Sequence, residues 1–443
     1  MEFNLEGQVN KSEEVYNLNN KPPFWETVLL GFQHMLAMFV GIITPPLIVC
    51  GVVGFNAIET SFIVSMTLIV SGITTYLQCT KLGPIGSGLL GVQGTSFTFV
   101  PMAIAAGSAG GLPLILGMSL VGSTVEMIVS RFIKQVKKYF PPVVSGTVVM
   151  MIGLSLMEVG ITDFAGGQGV QNFGSPQNLM LGFFVLIIII LCNRFGTGVI
   201  KAGAIAIGIT AGYIVSIFLG LINFGPIAEA GWFTIPIPLK YGIAFDWNHL
   251  LPFVLAYLVT SIETVGDLTA IANISGEPIE GELHAKRLSG GLLADACGSA
   301  LAAIFNSLPN STFSQNTGVI QITKVGSRVV GVAVAGFLVL LGLLPKFGAI
   351  ISVMPASVLG GATVALFGMV ATSGMKIAVK DGLTDRKLFI LAIALSFGLG
   401  VTMKPEVVAQ LPQWLSALAS SGVAVGALFA FMLNLILPKN NTN

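Results

Sequence analysis

A chain of 443 residues that is 54% hydrophobic and only 9% charged, with net charge +1 and mean hydropathy +0.88, departs from the roughly 25% charged residues of a soluble domain. The composition excludes a water-soluble globular protein and describes a polytopic membrane protein, and so small a net charge gives no reason to expect a nucleic-acid partner. Cys50, Cys79, Cys192 and Cys297 stand alone in apolar segments and read as small packing residues, with no disulfide or metal framework, and no GxxxxGK[ST] loop is present for ATP hydrolysis.

Met1 to Pro22 are polar and lack the apolar run of a secretory signal, so the first span itself directs insertion. Beyond them, apolar segments that meet the ~20-residue spanning criterion alternate with polar or Gly/Pro punctuation. Fourteen are predicted, near residues 26–52, 58–79, 85–106, 109–130, 140–159, 177–193, 198–222, 248–275, 287–307, 309–325, 328–345, 354–373, 385–403 and 414–437. With both termini in the cytoplasm, the loops and tails on that side, from Lys11 to Lys439, hold every one of the 21 Lys and Arg except Lys240, Lys346 and Lys404. Loop charge is independent of span hydropathy, so this positive-inside distribution supports the count. The basic run Arg131 to Lys138 is explained by orientation, although it also suits an amphipathic, lipid-attracted linker.

The two halves repeat. Pro141, Val144 and Gly146 recur as Pro355, Val358 and Gly360 at an offset of 214, and Thr95-Ser96-Phe97 recurs as Ser311-Thr312-Phe313 at 216. Because seven is odd, a seven-plus-seven duplication runs its second half across the membrane in the opposite sense, as in the inverted repeats of secondary transporters. The third and tenth spans become symmetry partners, and interrupted spans in matching positions point to a midplane binding site. The tenth is the more polar. Pro309 to Gly318 packs seven polar residues between apolar runs, which lipid does not tolerate, so this backbone is expected to line a cavity. Pro309 breaks the preceding helix, Ser311 to Gln315 can run extended, and Asn316 can cap a half-helix whose free N–H groups face the site.

Ionisable residues inside spans need a partner or a function. Glu263 and Asp267 lie one helical turn apart, and two carboxylates so close in low dielectric do not both ionise cheaply, which makes the pair a candidate proton site. Asp295 is a third interior acid. His34 is the only histidine well inside a span, suited either to relaying protons or to structural hydrogen bonding, whereas His249 and His284 lie at span edges. Glu126 and Glu158 are expected near span ends, snorkelling to the interface and outside the site.

Gln315-Asn316-Thr317-Gly318, followed after four residues by Thr323-Lys324, resembles the signature of the nucleobase–ascorbate transporter family, in its xanthine and uric acid permease branch. Gln33-His34, Ser96-Phe97, Glu263-Thr264-Val265-Gly266-Asp267 and Asp295 join it, so the resemblance runs from Phe24 to about Leu437. It implies an all-α polytopic membrane protein with 14 transmembrane segments in a 7+7 inverted repeat, and short antiparallel strands in segments 3 and 10. It further implies a substrate-binding core domain (23–130 and 248–345) and a gate domain (131–247 and 346–437), between cytoplasmic tails 1–22 and 438–443.

Carried over by the same resemblance, Glu263 binds ring N–H groups of a base, and Gln315 binds another edge through an amide that donates and accepts. Phe97, with Phe99 competing for the role, lies against the ring, and Ser96 and Asn316 complete or support the site. Asp295 serves coupling or holds the core together, and Asp267 and His34 serve proton coupling or brace the pocket. Family members that carry purines tend to have Gln at the position of Gln315, where uracil carriers have Glu and ascorbate carriers Pro. Uracil carriers also have His where Asp267 stands. The expected function is proton-coupled symport of xanthine or uric acid into the cell across the inner (plasma) membrane by alternating access. A uracil or broad nucleobase permease and a sodium-coupled purine carrier are the alternatives. Glu263 argues against an anion exchanger of the same fold, and no motif suggests a channel or an enzyme. No cofactor or metal is expected beyond the coupling ion; the expected partners are the lipid bilayer and a second copy in a homodimer joined through the gate domains.

Overall fold

The computed structural model describes residues 16–137, 141–380, 382–412, 415, 419 and 421–438; Lys11, Lys138, Lys439 and the outer parts of both expected tails lie outside the described residues. Most of the chain is helical. In order the elements are α1 (Phe24–Val53), α2 (Ala57–Thr80), β1 (Gln93–Thr95), a 3-10 turn (Phe97–Phe99), α3 (Val100–Lys137), α4 (Pro142–Phe164), α5 (Pro176–Phe195), α6 (Gly198–Ala202), α7 (Ala204–Phe218) and α8 (Gly225–Glu229). There follow α9 (Trp247–Ile274), α10 (Gly281–Ile304), β2 (Asn310–Thr312), α11 (Ser314–Thr323), α12 (Arg328–Gly342), α13 (Pro345–Ser352), α14 (Ala356–Ala378), α15 (Asp385–Met403) and α16 (Gly422–Ile436).

Eight described helices are long and apolar enough to cross a membrane, and α12 with α13, bent by 78°, passes as a ninth. The protein is a multi-pass membrane protein. Several expected segments take other forms. Residues 85–106 open irregularly, pass through β1 and the 3-10 turn, and merge into α3, whose break at Gly110 and Gly111 (φ 67°) separates them from the next span. The expected span 198–222 is divided between α6 and α7, and 309–325 is a strand followed by a ten-residue helix.

Local chemistry accounts for the helix ends. Asn56 caps α2 in a reciprocal box: its side chain accepts from Glu59 N at 2.9 Å, while its own N–H donates to the Glu59 carboxyl at 3.2 Å. Ser175 caps α5 with Pro176 in the first turn, where a missing N–H costs nothing. Between helices, small residues replace the hydrophobic drive that lipid cannot supply. The α4 and α14 helices run so close that a Cβ on Gly146 would collide with the backbone of Ala378, and one on Gly374 with the backbone of Met150. A buried cluster that includes Phe97, Phe99, Ile152, Phe253, Tyr257 and Phe367 joins this pair to α3 and α9.

Candidate functional site

The two strands lie where the two halves of the chain meet. They are antiparallel, with Gln93 opposite Thr312, Gly94 opposite Ser311 and Thr95 opposite Asn310. Bonds from Ser96 N to Pro309 O and from Phe313 N to Val92 O, each 3.0 Å, extend the ladder at its ends. Strands this short do not stand alone in a membrane, because their free backbone groups need partners. Side chains supply them. Thr75 Oγ1 accepts from Gln93 N at 2.9 Å, Ser299 Oγ accepts from Asn310 N at 3.1 Å, and Thr95 Oγ1 donates to Ile42 O at 2.5 Å. Gly94 has no alternative there, since a Cβ would sit 2.6 Å from both Ile42 and the Phe313 ring.

Each strand hands the chain to a helical segment, the 3-10 turn after Ser96 and α11 after Phe313, so free N–H groups from both halves face the same space. That space is a cavity of about 230 Å³. One wall is Thr95, Ser96, Phe97, Thr98, Glu263 and Ser311 to Gln315; the other is Val149 and Ile152 of α4 with Met369, Val370 and Ser373 of α14. Phe97 lines it and meets Phe367 edge to face at 5.7 Å. Phe99 is instead fully buried against Tyr257, with ring centroids 4.5 Å apart. Thr98 Oγ1 donates to Glu263 Oε2 at 3.3 Å, and Gln315 makes no side-chain hydrogen bond among the described residues, so both its donor and its acceptor remain for a ligand.

Behind the cavity a second layer holds the strands. Asp295, fully buried, accepts from Gln93 Nε2 at 2.6 Å, from Thr312 Oγ1 at 3.3 Å and from Thr264 Oγ1. One side chain of α10 thereby ties β1, β2 and α9 together. Asp267 does not line the cavity; it accepts from Ser314 Oγ at 2.9 Å, beside the first turn of α11. Nor does Asn316. The expectation that it caps the half-helix is corrected, because α11 begins at Ser314 with Phe313 as its cap residue, and only residues 310–312 are extended. Asn316 is buried, donates from Nδ2 to Leu90 O at 2.5 Å, and approaches His34 Nδ1 with its Oδ1 at 3.1 Å. Among the described residues Asn316 is the one side chain that hydrogen-bonds His34, and neither lines the cavity.

A second correction concerns Glu126. It is fully buried between α3 and α9 and does not snorkel, and its Oε1 lies 3.2 Å from Ser261 Oγ. Burial, and not distance from the helix end, is the reason: Glu126 is turned against Ser261 of α9 and away from any surface. Glu158 is exposed and lines a separate cavity of about 750 Å³ with Asp163 and Phe173. Sequence reasoning missed Gln93 and Thr98 as partners of the acids, although the run Gln93 to Thr98 is the polar counterpart of residues 310–317. It also missed Val149, Ile152, Met369 and Val370, whose apolar side chains carry no signal that they face a cavity.

Residues 25–407 match the model of a permease family. The chain belongs to the xanthine/uracil permease family. The resemblance to nucleobase–ascorbate transporters is thus borne out, and the protein is a permease and not an enzyme. It is 42% identical to the xanthine permease XanP of Escherichia coli (strain K12) over 97% of this chain and 96% of that one. It is 40% identical to the xanthine permease XanQ of the same strain over 96% and 94%, and 39% identical to the nucleobase transporter PlUacP of Paenibacillus larvae over 93% and 94%. Among solved structures, this permease resembles the transmembrane domain of a cyanobacterial bicarbonate transporter, BicA, with TM-score 0.57 and 15% identity over 94% of this chain and all (100%) of that one. The murine anion transporter Slc26a9 in its inward-facing state gives TM-score 0.61 and 12% identity over 94% of this chain and 69% of that one, so the likeness is one of fold.

Proposed function

We propose that this permease takes up an oxidised purine, xanthine and/or uric acid, by proton-coupled symport. The observation that carries the reading is the cavity, where a carboxyl (Glu263), an unengaged amide (Gln315) and an aromatic face (Phe97) converge. An oxidised purine presents N–H groups and carbonyls in one plane, the edges that an accepting carboxyl and a donating and accepting amide recognise. A volume of about 230 Å³ lies below the range of roughly 300–1,000 Å³ typical of drug-sized ligands and suits a single fused ring. Glu263 disfavours a small anion such as bicarbonate. The names of XanP and XanQ support xanthine, while PlUacP, named a nucleobase transporter, keeps a broader nucleobase specificity as the second reading. Glu263, Asp267 and Asp295 form no ion pair with Lys, Arg or His among the described residues, which leaves their carboxyls open to a coupled cation, and a proton is the one that a single carboxyl can hold.

In this reading the chain has fourteen crossings in a 7+7 inverted repeat, with both termini cytoplasmic. The core domain (23–130 and 248–345) carries the strands and acids, and moves against the gate domain (131–247 and 346–437). The cavity between α4 with α14 on one side and the strands on the other supports that division, because substrate there is released when the two walls part. Two copies joined through their gate domains give each core a fixed frame to move against.

Uptake of labelled xanthine, urate and uracil into vesicles holding this chain tests the proposal. Xanthine or urate is accumulated when the outside is acid, and uracil is not. Uracil as the better substrate, or accumulation that survives collapse of the proton gradient, sinks it. Gln315→Glu exchanges an amide that donates and accepts for a group that, ionised, only accepts, at nearly constant volume. It re-ranks substrates: a base presenting a carbonyl there loses about 1 to 3 kcal/mol, roughly ten- to a hundredfold in affinity. Competition by a panel of purine and pyrimidine analogues measures this, and an equal loss for every compound would mean that Gln315 positions α11 without reading the base.

A further inference from the structure

Glu126 takes no part in the mechanism so far, yet it is fully buried in α3, where α9 and α10 pack over it. Its hydrogen bonding can be counted donor by donor. Ser261 Oγ lies 3.2 Å from Glu126 Oε1 and 2.7 Å from the carbonyl oxygen of Tyr257. The hydroxyl has one hydrogen for two acceptors, and the shorter contact is the one to the carbonyl. The Tyr257 hydroxyl is spent as well, donating to Ser119 O at 2.8 Å. No other donor reaches Glu126 among the described residues, and its Oε2 makes no hydrogen bond there. An ionised Glu126 would have at most that one hydroxyl hydrogen, shared with the Tyr257 carbonyl, to stabilise its charge. A neutral Glu126 can instead donate to Ser261 Oγ and leave the serine hydrogen on the Tyr257 carbonyl, so that every hydrogen is used.

Asp295 on α10 is the contrast. Three donors converge on it, which is the set an ionised carboxylate needs. The titratable groups that act on Glu126 are Tyr257 and Glu263 from α9 and Asp295 from α10, and among the described residues no Lys, Arg or His pairs with it. An isolated charge in such surroundings is neutralised by a proton. Ser261 precedes Glu263 by two residues on α9, so what happens at Glu126 is transmitted to the helix that carries the cavity carboxyl.

We propose that Glu126 is a proton-binding residue of the transport cycle: it carries the coupled proton in the conformation seen here, donating it to Ser261 Oγ, and releases it when core and gate rearrange. The inference rests on the proton-symport reading, and it adds a positioning residue outside the substrate cavity. The test measures substrate and proton fluxes together in vesicles, with labelled xanthine and a pH-sensitive dye, for the wild type and Glu126→Gln. The amide mimics the neutral acid in shape but cannot release a proton. Substrate affinity of the purified variant stays within about threefold of wild type, substrate exchange at equal concentrations persists, and pH-driven accumulation falls at least about tenfold. Wild-type uptake without proton movement would overturn the symport reading itself. Wild-type proton movement with an unchanged proton-to-substrate ratio in Glu126→Gln overturns this inference alone. Should that variant not fold, Ser261→Ala decides, since it removes the oxygen that accepts the Glu126 proton. The pH for half-maximal uptake then moves toward acid by about one unit, and no shift, or a shift toward alkaline pH, overturns the proposal.

Discussion

Replacing Asp295 by Ala abolishes transport and strongly lowers the thermal stability of the purified protein. The carboxyl takes hydrogen bonds from Gln93 in β1, Thr264 in α9 and Thr312 in β2, all of them buried. Bonds to a charged group contribute roughly 1.5–3 kcal/mol each, and allowing for non-additivity within one network, the loss is on the order of 3–5 kcal/mol. Asp295→Asn retains the volume and one accepting oxygen but turns an N–H toward donors, so its melting temperature lies between those of wild type and Asp295→Ala, while transport stays lost. Thermal melts in detergent and vesicle uptake check both. If Asp295→Asn transports normally once saturated with substrate and only its affinity falls, Asp295 would be a substrate contact and not the tie between the strands.

Glu263→Gln has the second large effect, and on binding. Glu263 lines the cavity and takes only the Thr98 hydroxyl, at 3.3 Å, from the protein, so it remains free to accept from a ring N–H. An amide placed there loses a charge-assisted bond worth roughly 1.5–3 kcal/mol, or about ten- to a hundredfold in affinity. Its melting temperature changes little, because Glu263 is only half-buried and its one link to another element, the Thr98 hydroxyl at 3.3 Å, can be kept by the amide oxygen. Equilibrium binding of labelled xanthine to the purified variant measures the loss. An unchanged affinity would falsify the assignment of Glu263 to the substrate.

Asp267 shows how far spacing reaches. Its position one turn from Glu263 predicts a pair of carboxyls on one helix face, and α9 is indeed helical through both. That spacing does not predict that Asp267 faces Ser314 at the start of α11 while Glu263 faces the cavity. The half-helix after Pro309 is legible from its polar residues, because lipid forbids them. The detail that Asn316 spends its amide on Leu90 and His34, 226 and 282 residues away, is not.

By itself the sequence determined that this is a multi-pass membrane protein, that two spans are interrupted by polar residues in corresponding places, and that Glu263, Gln315 and Phe97 are candidates for one site. The first two follow from local properties, hydropathy over about twenty residues, Pro and Gly breaks, and the cost of polar groups in lipid, while the grouping of Glu263, Gln315 and Phe97 in one site comes from the resemblance to the family. Only the tertiary structure decided that β1 pairs with β2, that Asp295 is their tie, that α4 and α14 supply an apolar wall, and that Glu126 is interior. The physical reason is distance along the chain. Gln93 and Asp295 are 202 residues apart, as are Ser261 and Glu126 by 135, and a side chain's partner at such separations is set by how the helices pack and not by its neighbours in sequence.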